Sequence, residues 1–275
     1  MRAAILQMRS GIDPARNAEA LTAAIAEAAA GGADMLFTPE MSGLLDRDRA
    51  RGSVHLRMEE EDPVLQAVRH AAAIAGIWVH IGSLALLGGA GGRQVNRGFV
   101  IDAAGAIRAR YEKLHLFDVD LPNGESWRES AAYAPGERAV VAETPWAPIG
   151  LSVCYDIRFA ALYRALSDGG AEILTVPAAF TVPTGQAHWH ILLRARAIES
   201  ACFVIAAAQT GLHEDGRSTF GHSLVIDPWG EVLLDMGETV GLGYADLDLS
   251  RVADVRSRVP VIQHRRAIPP VERAG

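Results

Sequence analysis

The sequence predicts an α/β fold, a four-layer α-β-β-α sandwich of two mixed sheets. Its composition, 49% apolar and 21% charged over 275 residues, is typical of a globular chain with a large core. Short apolar runs alternate with helical segments, and the order β-α-β-α-β followed by a hairpin occurs twice. Two such halves, each with helices on one face of its sheet, would bury their bare faces against each other. We therefore predict a single domain over residues 1–275 with an internal pseudo-two-fold repeat.

The elements of the first half are bounded by proline, glycine and capping aspartate. Asp13-Pro14 is a helix start, and Gly31-Gly32 is a helix stop. The predicted elements are a strand at 3–8, a helix at 14–30, a strand at 34–38, a helix at 63–75, a strand at 77–83 and a hairpin formed by 98–102 and the segment from Ile107. Between them, residues 44–61 are a charged surface excursion, and the glycines at 88–92 form a turn.

The second half repeats this order. Its elements are predicted at 149–153 (strand), 157–167 (helix), 173–177 (strand), 186–200 (helix), 203–206 (strand) and 224–230 (strand and turn). Residues 114–148, which join the halves, show little periodicity, and a long irregular segment in a compact domain is usually functional. Residues 250–275 are predicted to hold a short helical piece followed by an extended C-terminal tail, and such a tail frays or lies on a partner subunit.

Charge and cysteine content limit the classes of function. The net charge of −7 argues against nucleic acid or an anionic membrane as partner. Two cysteines give no disulfide framework, and neither a signal peptide nor an apolar run of about 18 residues is present. These features predict a cytoplasmic protein.

Cys154 ends a buried strand and precedes a helical segment, so its sulfur is predicted to lie at a strand-to-helix corner. Backbone N–H groups and the helix dipole at such a corner favour an anion, which predicts a lowered thiol pKa and a nucleophilic sulfur. The alternative is a small buried apolar residue. The other cysteine, Cys202, lies within an apolar run and is assigned to the core.

Lys113 is the single lysine beside 25 arginines. A cation that serves only solubility is evidently supplied here as arginine, so the lysine stands where a compact ammonium is needed. The alternative is compositional drift that left one lysine by accident.

A thiol nucleophile also needs a base. Glu40, at the mouth of the second strand, is the candidate, with a pKa raised by an apolar site. Glu129 is a second carboxylate in the irregular segment. His188 and His190 stand two apart on a helix and do not share a face, so they are not a metal pair. His115 is assigned a structural hydrogen bond.

Three segments together resemble the Glu-Lys-Cys triad of the nitrilase, or carbon–nitrogen hydrolase, superfamily. They contain Glu40 in Thr-Pro-Glu, Lys113 in Tyr-Glu-Lys-Leu-His-Leu-Phe-Asp and Cys154 in Val-Cys-Tyr-Asp-Ile-Arg-Phe. Glu129 followed by Pro135-Gly136 resembles the segment with the supporting glutamate of that family. The resemblance extends from about Ala3 to Ile268.

Within the superfamily the chain resembles the branch of deaminated glutathione amidases and ω-amidases. The segments with this likeness are 187–189, 193–199, 206–209, 220–223, 227–230 and 263–266, and Gln209 and the Gln-His-Arg-Arg run favour the deaminated glutathione side. One departure is His190, where the branch usually has glutamate.

The resemblance implies amide hydrolysis without metal or cofactor, through a thioacyl-enzyme. Cys154 would attack, Glu40 would carry protons, Lys113 and the backbone N–H of Tyr155 would hold the oxyanion, and Glu129 would orient the lysine. Three further residues are candidates for holding a small carboxylate-bearing amide: Arg158, Phe180 and Thr181. Arg158 could equally form an internal ion pair.

The resemblance also implies a homodimer or larger oligomer. Alternatives to the deaminated glutathione reading are an ω-amidase, an N-carbamoyl amino acid amidohydrolase, or a catalytically idle interaction protein.

Overall fold

The computed structural model describes residues 1–121 and 124–274. The described residues form sixteen strands: β1 (Arg2–Gln7), β2 (Met35–Phe37), β3 (Trp78–Leu86), β4 (Val95–Ile101), β5 (Ile107–Glu112), β6 (Asp118–Asp120), β7 (Ser126–Arg128), β8 (Val140–Ala142), β9 (Ile149–Leu151), β10 (Ile173–Thr175), β11 (Phe203–Ala206), β12 (Thr210–Leu212), β13 (Ser218–Phe220), β14 (Leu224–Ile226), β15 (Val232–Asp235) and β16 (Gly241–Asp246). The α-helices are α1 (Pro14–Ala30), α2 (Arg49–Ser53), α3 (Pro63–Ala75), α4 (Ala160–Asp168), α5 (Val182–Ser200) and α6 (Ser250–Arg258).

The strand order confirms the internal repeat. One six-stranded sheet has the order β16-β1-β2-β3-β4-β5, and the other has β8-β9-β10-β11-β14-β15. Each sheet contains three parallel strands, continued on one side by an antiparallel hairpin. An antiparallel strand from elsewhere in the chain closes the other side, β16 in the first sheet and β8 in the second. The two halves therefore match strand for strand.

Alternation along the strands of the first sheet produces the layers. Ile5 and Phe37 point into a core shared with β9, β10 and β11 of the second sheet. Their neighbours Ala4 and Leu36 point the other way, into a core that contains residues of α1 and α3. The shared core continues through the second sheet to α4 and α5. The four-layer sandwich predicted from the sequence is thus confirmed.

Several local predictions need correction. Residues 114–148 are not wholly irregular, since they contain β6, β7 and β8, and strands of three residues are too short to show a periodicity. Helix α5 begins at Val182 rather than at residue 186, because Pro183 occupies its first turn. The short helical piece expected at the start of the C-terminal tail, by contrast, is confirmed as α6, and farther along the tail Arg265 lies 2.5 Å from Asp168 of α4 in the same chain. Among the described residues, no helix has the length and apolarity needed to cross a bilayer.

A buried histidine on β3 makes the stability of the fold depend on pH. Burial lowers the pKa of His80 from its ordinary 6.5 to about 3. The unfolded chain therefore binds a proton below pH 6.5 that the folded chain rejects, so stability is lost as the pH falls from 6.5 toward 3. We expect the free energy of unfolding to fall by about 2 kcal/mol between pH 7.5 and pH 5 from this residue alone.

Urea titrations of the parent and of a His80→Gln variant at the two pH values check this expectation. The variant should lose less stability on acidification by about the same 2 kcal/mol. His70→Gln, which replaces an exposed histidine of α3, is the matched control and should behave like the parent. Equal acid sensitivity in the parent and His80→Gln would contradict the assignment.

Candidate active site

Cys154 lies where the chain leaves β9 and turns toward α4. The residue has a φ of 50°, in the left-handed region, and begins a 3-10 turn over Cys154–Arg158. Its N–H donates to the carbonyl of Pro177, which follows the neighbouring strand β10, at 2.9 Å. A non-glycine residue held in this conformation is typical of a functional position. The corner predicted from the sequence is therefore present.

Asp156 fixes this corner from within. Its carboxylate accepts hydrogen bonds from the N–H of Val153 at 2.9 Å and from the hydroxyl of Tyr111 at 2.7 Å. The N–H of His115 donates to the same carboxylate at 3.0 Å, and the His115 ring nitrogen Nδ1 lies 2.7 Å from it. The predicted structural hydrogen bond of His115 is thus confirmed. The role of Asp156 was missed by the sequence analysis.

Glu40 lies just past the carboxyl end of β2, on the opposite sheet. Its Oε1 accepts from Lys113 Nζ and from Asn96 Nδ2, both at 2.9 Å. Its Oε2 accepts from the backbone N–H of Ala179 at 3.0 Å, and the charge of the carboxylate acts on the thiol of Cys154. Glu40 thus links residues from both sheets.

Lys113 is buried between two carboxylates. Its Nζ lies 2.9 Å from Glu40 Oε1 and 2.8 and 3.1 Å from the two oxygens of Glu129. Glu129 also accepts from the N–H of Phe117 at 2.7 Å. The charge of Lys113 acts on the Cys154 thiol, so the ammonium and the sulfur belong to one site. The structure brings together all four predicted residues.

Asn96 is a site residue that the sequence analysis missed. Its Nδ2 donates to Glu40 at 2.9 Å and to Glu129 at 3.2 Å. Its signal in the sequence is modest: asparagine is depleted in strands, yet it stands between Val95 and Arg97 of β4. A second support is Gln209, whose Nε2 donates to the backbone carbonyl of Glu40 at 2.9 Å.

Two predicted pKa shifts are wrong in direction. Burial alone would raise the pKa of Glu40, but the charge and hydrogen bond of Lys113, with hydrogen bonds from Cys154 and Asn96, hold it below its usual value of 4.5. Burial and the Glu40 carboxylate raise the pKa of the Cys154 thiol well above 9, and Lys113 only partly opposes them. The lowered thiol pKa was predicted from the strand-to-helix corner alone, without the opposing effect of the Glu40 carboxylate.

These shifts define the resting protonation state. Burial opposes the charge of Lys113, but Glu129 and Glu40 raise its pKa well above 10.5, so the ammonium persists. The site therefore holds a neutral thiol beside an ionised carboxylate. A carboxylate beside a thiol in the same cavity can take its proton as the sulfur attacks an electrophile.

Cys154 opens on a cavity of about 580 Å³, a volume that holds a small organic molecule. Seven of the eight predicted site residues line it: Glu40, Lys113, Glu129, Cys154, Tyr155, Phe180 and Thr181.

The eighth, Arg158, is not part of the wall. Its guanidinium lies over the rings of Tyr155 and Phe180 and hydrogen-bonds His188 Nδ1 at 3.3 Å, and within the described parts of the chain it forms no internal ion pair.

The other cysteine is far less accessible. Cys202 is 0% exposed, does not line the cavity, and its thiol donates to the carbonyl of Ala171 at 3.1 Å. Its assignment to the core is confirmed.

A thiol, an ionised carboxylate and a buried ammonium around one cavity define a nucleophilic hydrolase of the cysteine type. The family model described as carbon-nitrogen hydrolase matches residues 2–257. The chain belongs to the carbon–nitrogen hydrolase family, and it is an amidase of the nitrilase superfamily.

Individual relatives agree with this assignment. A deaminated glutathione amidase from Yersinia enterocolitica is 38% identical over 96% of this chain and 93% of its own length. The crystal structure of the Caenorhabditis elegans NitFhit protein is 37% identical with a TM-score of 0.89, over 96% of this chain and 65% of that longer one. An amidase from Nesterenkonia sp. AN1, 28% identical with a TM-score of 0.81 over 97% and 94% of the two chains, was solved with the acetamide moiety of fluoroacetamide added covalently at its active-site cysteine.

Proposed function

We propose that this protein hydrolyses a small, carboxylate-bearing amide through a thioacyl-enzyme on Cys154. The observation that supports this most is the convergence on that thiol, from separate parts of the chain, of Glu40 and of Lys113, which Glu129 holds in place. Buried charges cost several kcal/mol each unless they are paired, so their concentration around a reactive atom favours a chemical role over a structural one.

In the first step, the sulfur of Cys154 attacks the amide carbon while Glu40 takes the thiol proton. Because the thiol is neutral at rest, proton transfer and attack proceed together. The carbonyl oxygen becomes an oxyanion, which the ammonium of Lys113 and the N–H of Tyr155 stabilise. Tyr155 lies in the first turn of its 3-10 segment, where N–H groups lack partners inside the turn.

In the second step, the C–N bond breaks and Glu40 returns the proton to the departing amine, which leaves a thioester on Cys154. Glu40, ionised again, then takes a proton from water as the water oxygen attacks the thioester carbon. Collapse of that second oxyanion expels the sulfur, which regains a proton from Glu40, and the carboxylic acid product leaves. Glu129 holds Lys113 charged and in place throughout.

Alkylation of the full-length protein by iodoacetamide, followed by peptide mass mapping, tests the nucleophile. We expect Cys154 to be modified and Cys202 to be spared, because only Cys154 faces the cavity. The raised pKa of Cys154 predicts faster alkylation as the pH rises. Equal labelling of both thiols, or of neither, would favour the catalytically idle interaction protein.

We further propose a substrate of the deaminated glutathione type, in which a carboxylate lies on the amine side of the scissile amide. The names of the relatives favour this class. The cavity adds a physical reason: Arg47, from the charged excursion at 44–61, lines it, and its guanidinium has no hydrogen-bond or ion-pair partner among the described residues. An unpaired guanidinium at a cavity mouth is suited to a substrate carboxylate.

An Arg47→Gln variant tests this part of the proposal. We expect kcat/KM for deaminated glutathione to fall roughly tenfold, the loss of one charge-assisted hydrogen bond, while an ω-amide that releases only ammonia is hydrolysed as before. Arg16→Gln, an exposed change on α1, is the control. Preference of the parent for the small ω-amide or an N-carbamoyl acid would instead favour the alternative substrate classes.

A further inference from the structure

A second cluster of reactive side chains lies outside the cavity. His190 of α5, His222 of the β13–β14 turn and Asp235 at the end of β15 each point a ligand-type atom at the same spot, and these atoms all lie within 4.8 Å of one another. None of the three residues lines the catalytic cavity. They are partly exposed, so an ion from solvent can reach them.

Backbone contacts hold two of these side chains in place. His222 has a φ of 53°, its N–H donates to the carbonyl of Gly237 at 2.6 Å, and its own carbonyl accepts from the indole of Trp189 at 2.8 Å. Asp235 Oδ1 accepts from the N–H of Gly237 at 2.9 Å. Gly237 therefore ties the turn that carries the second imidazole to the strand end that carries the carboxylate.

We propose that His190, His222 and Asp235 bind a divalent transition metal, Zn²⁺ in the first instance, with solvent completing a four-coordinate site. Two imidazoles and one carboxylate form a known three-ligand set for zinc with an open position. The nitrogens that would bind the ion are those that now face Asp235: His190 Nε2 lies 3.0 Å from Oδ2, and His222 Nδ1 lies 2.9 Å from Oδ1.

The adjustment required is small. Bonds of about 2.0–2.1 Å in a tetrahedral site place ligand atoms roughly 3.3 Å apart. The two nitrogen–oxygen distances are already close to this value, and the widest separation in the cluster is no more than 4.8 Å. The ion takes the place of any proton on the two coordinating nitrogens, so each bound imidazole is neutral and carries its proton on the other ring nitrogen.

The site is connected to the cavity wall. Trp189, next to His190, packs its ring 4.8 Å from that of Phe180, which lines the cavity. Phe220 stacks on His222 at 4.5 Å, and its N–H donates to the carbonyl of Phe180 at 2.9 Å. A bound ion would brace this wall and stabilise the folded chain by mass action, without taking part in amide hydrolysis.

Calorimetric titration with ZnCl₂ tests the proposal. The full chain is used with Cys154→Ala, treated with EDTA and dialysed, so that the catalytic thiol does not bind zinc. We expect one saturable equivalent of zinc. His190→Gln and Asp235→Asn, each in the same background, should bind at least about tenfold more weakly, because loss of a ligand costs no less than loss of a group that orients one.

His70→Gln in the same background is the matched control and should bind like its parent. Co²⁺ in place of Zn²⁺ should give the visible absorption of a tetrahedral site in the parent and lose it in Asp235→Asn. Absence of saturable binding in the parent would overturn the proposal. So would unchanged affinity in either ligand variant, which would leave the cluster as a hydrogen-bonded contact of Asp235 with two histidines. Because alkylation of Cys154 is measured separately, neither outcome bears on the amidase proposal.

Discussion

A Glu40→Gln variant is expected to fold and to lose at least about 10³-fold in kcat. The carboxylate is assigned four proton transfers: from the thiol, to the departing amine, from water and back to the expelled sulfur. A glutamine keeps the shape of the side chain and can take none of these protons. Since each positioned acid–base transfer contributes roughly 10²–10⁴-fold, the loss should be large in acylation and in thioester hydrolysis alike. Single-turnover assays with mass detection of the acyl-enzyme would measure the two steps separately.

Glu19→Gln on the surface of α1 is the matched control for Glu40→Gln, and circular dichroism of both variants checks the fold. The pH profile adds a second readout. Because Lys113, Cys154 and Asn96 hold the pKa of Glu40 below 4.5, the base is ionised across the neutral range, and activity is lost as the pH falls through that low pKa. The acid limb of kcat/KM in the parent should therefore lie below about pH 4.5. An acid limb near neutrality, or near-normal turnover in Glu40→Gln, would remove Glu40 as the base.

The arrangement of strands was predictable from the sequence because it rests on repetition. Proline follows the second strand of each half, at Pro39 and Pro177, and the structure places these strands as β2 and β10 in equivalent positions of the two sheets. A buried parallel strand appears in the sequence as a short run of apolar residues, and this holds for both sheets. Their carboxyl ends are where open α/β sheets place their sites, so Glu40 and Cys154 could be selected before any distance was known.

The electrostatics of the site were not predictable in the same way. Burial pushes the pKa of Glu40 upward and Lys113 pushes it downward, and the sum depends on a 2.9 Å contact between residues 73 positions apart. For Cys154 the corner favours the anion, but burial and the neighbouring carboxylate favour the neutral thiol. The sequence suggested burial for Glu40 and an anion-favouring corner for Cys154. It did not show how strongly a neighbouring charged group would shift either pKa in the opposite direction.

Residues that act through long-range contacts were missed for a related reason. Asn96 reaches Glu40 and Glu129 only because β4 follows β3 in the sheet and the irregular segment folds over its end. Asp235 meets His190 because β15 is the edge strand beside β14. An asparagine inside a strand marks Asn96 as unusual but does not say which residues it contacts, whereas the rejected pairing of His188 with His190 could be judged from helix geometry alone.

A Lys113→Arg variant should fold and lose at least about 10²-fold in kcat. The substitution keeps the positive charge between Glu40 and Glu129, so it avoids the penalty of two unpaired buried carboxylates that an apolar replacement would create. A guanidinium is planar and larger, however. Its fork would pair with the two carboxylates and extend into the space beside Cys154, where the oxyanion has to form. The compact ammonium can contact both carboxylates and still donate a hydrogen bond to the oxyanion.

The expected signature of Lys113→Arg is a fall in kcat with little change in KM, because oxyanion stabilisation operates mainly in the transition state. Thermal unfolding should remain close to that of the parent, and iodoacetamide should still modify Cys154. Arg16→Lys, a charge-conserving change at an exposed position, is the control for handling of the protein. Near-normal turnover in Lys113→Arg would mean that charge alone suffices at this position, and that the single lysine among 25 arginines is an accident of composition.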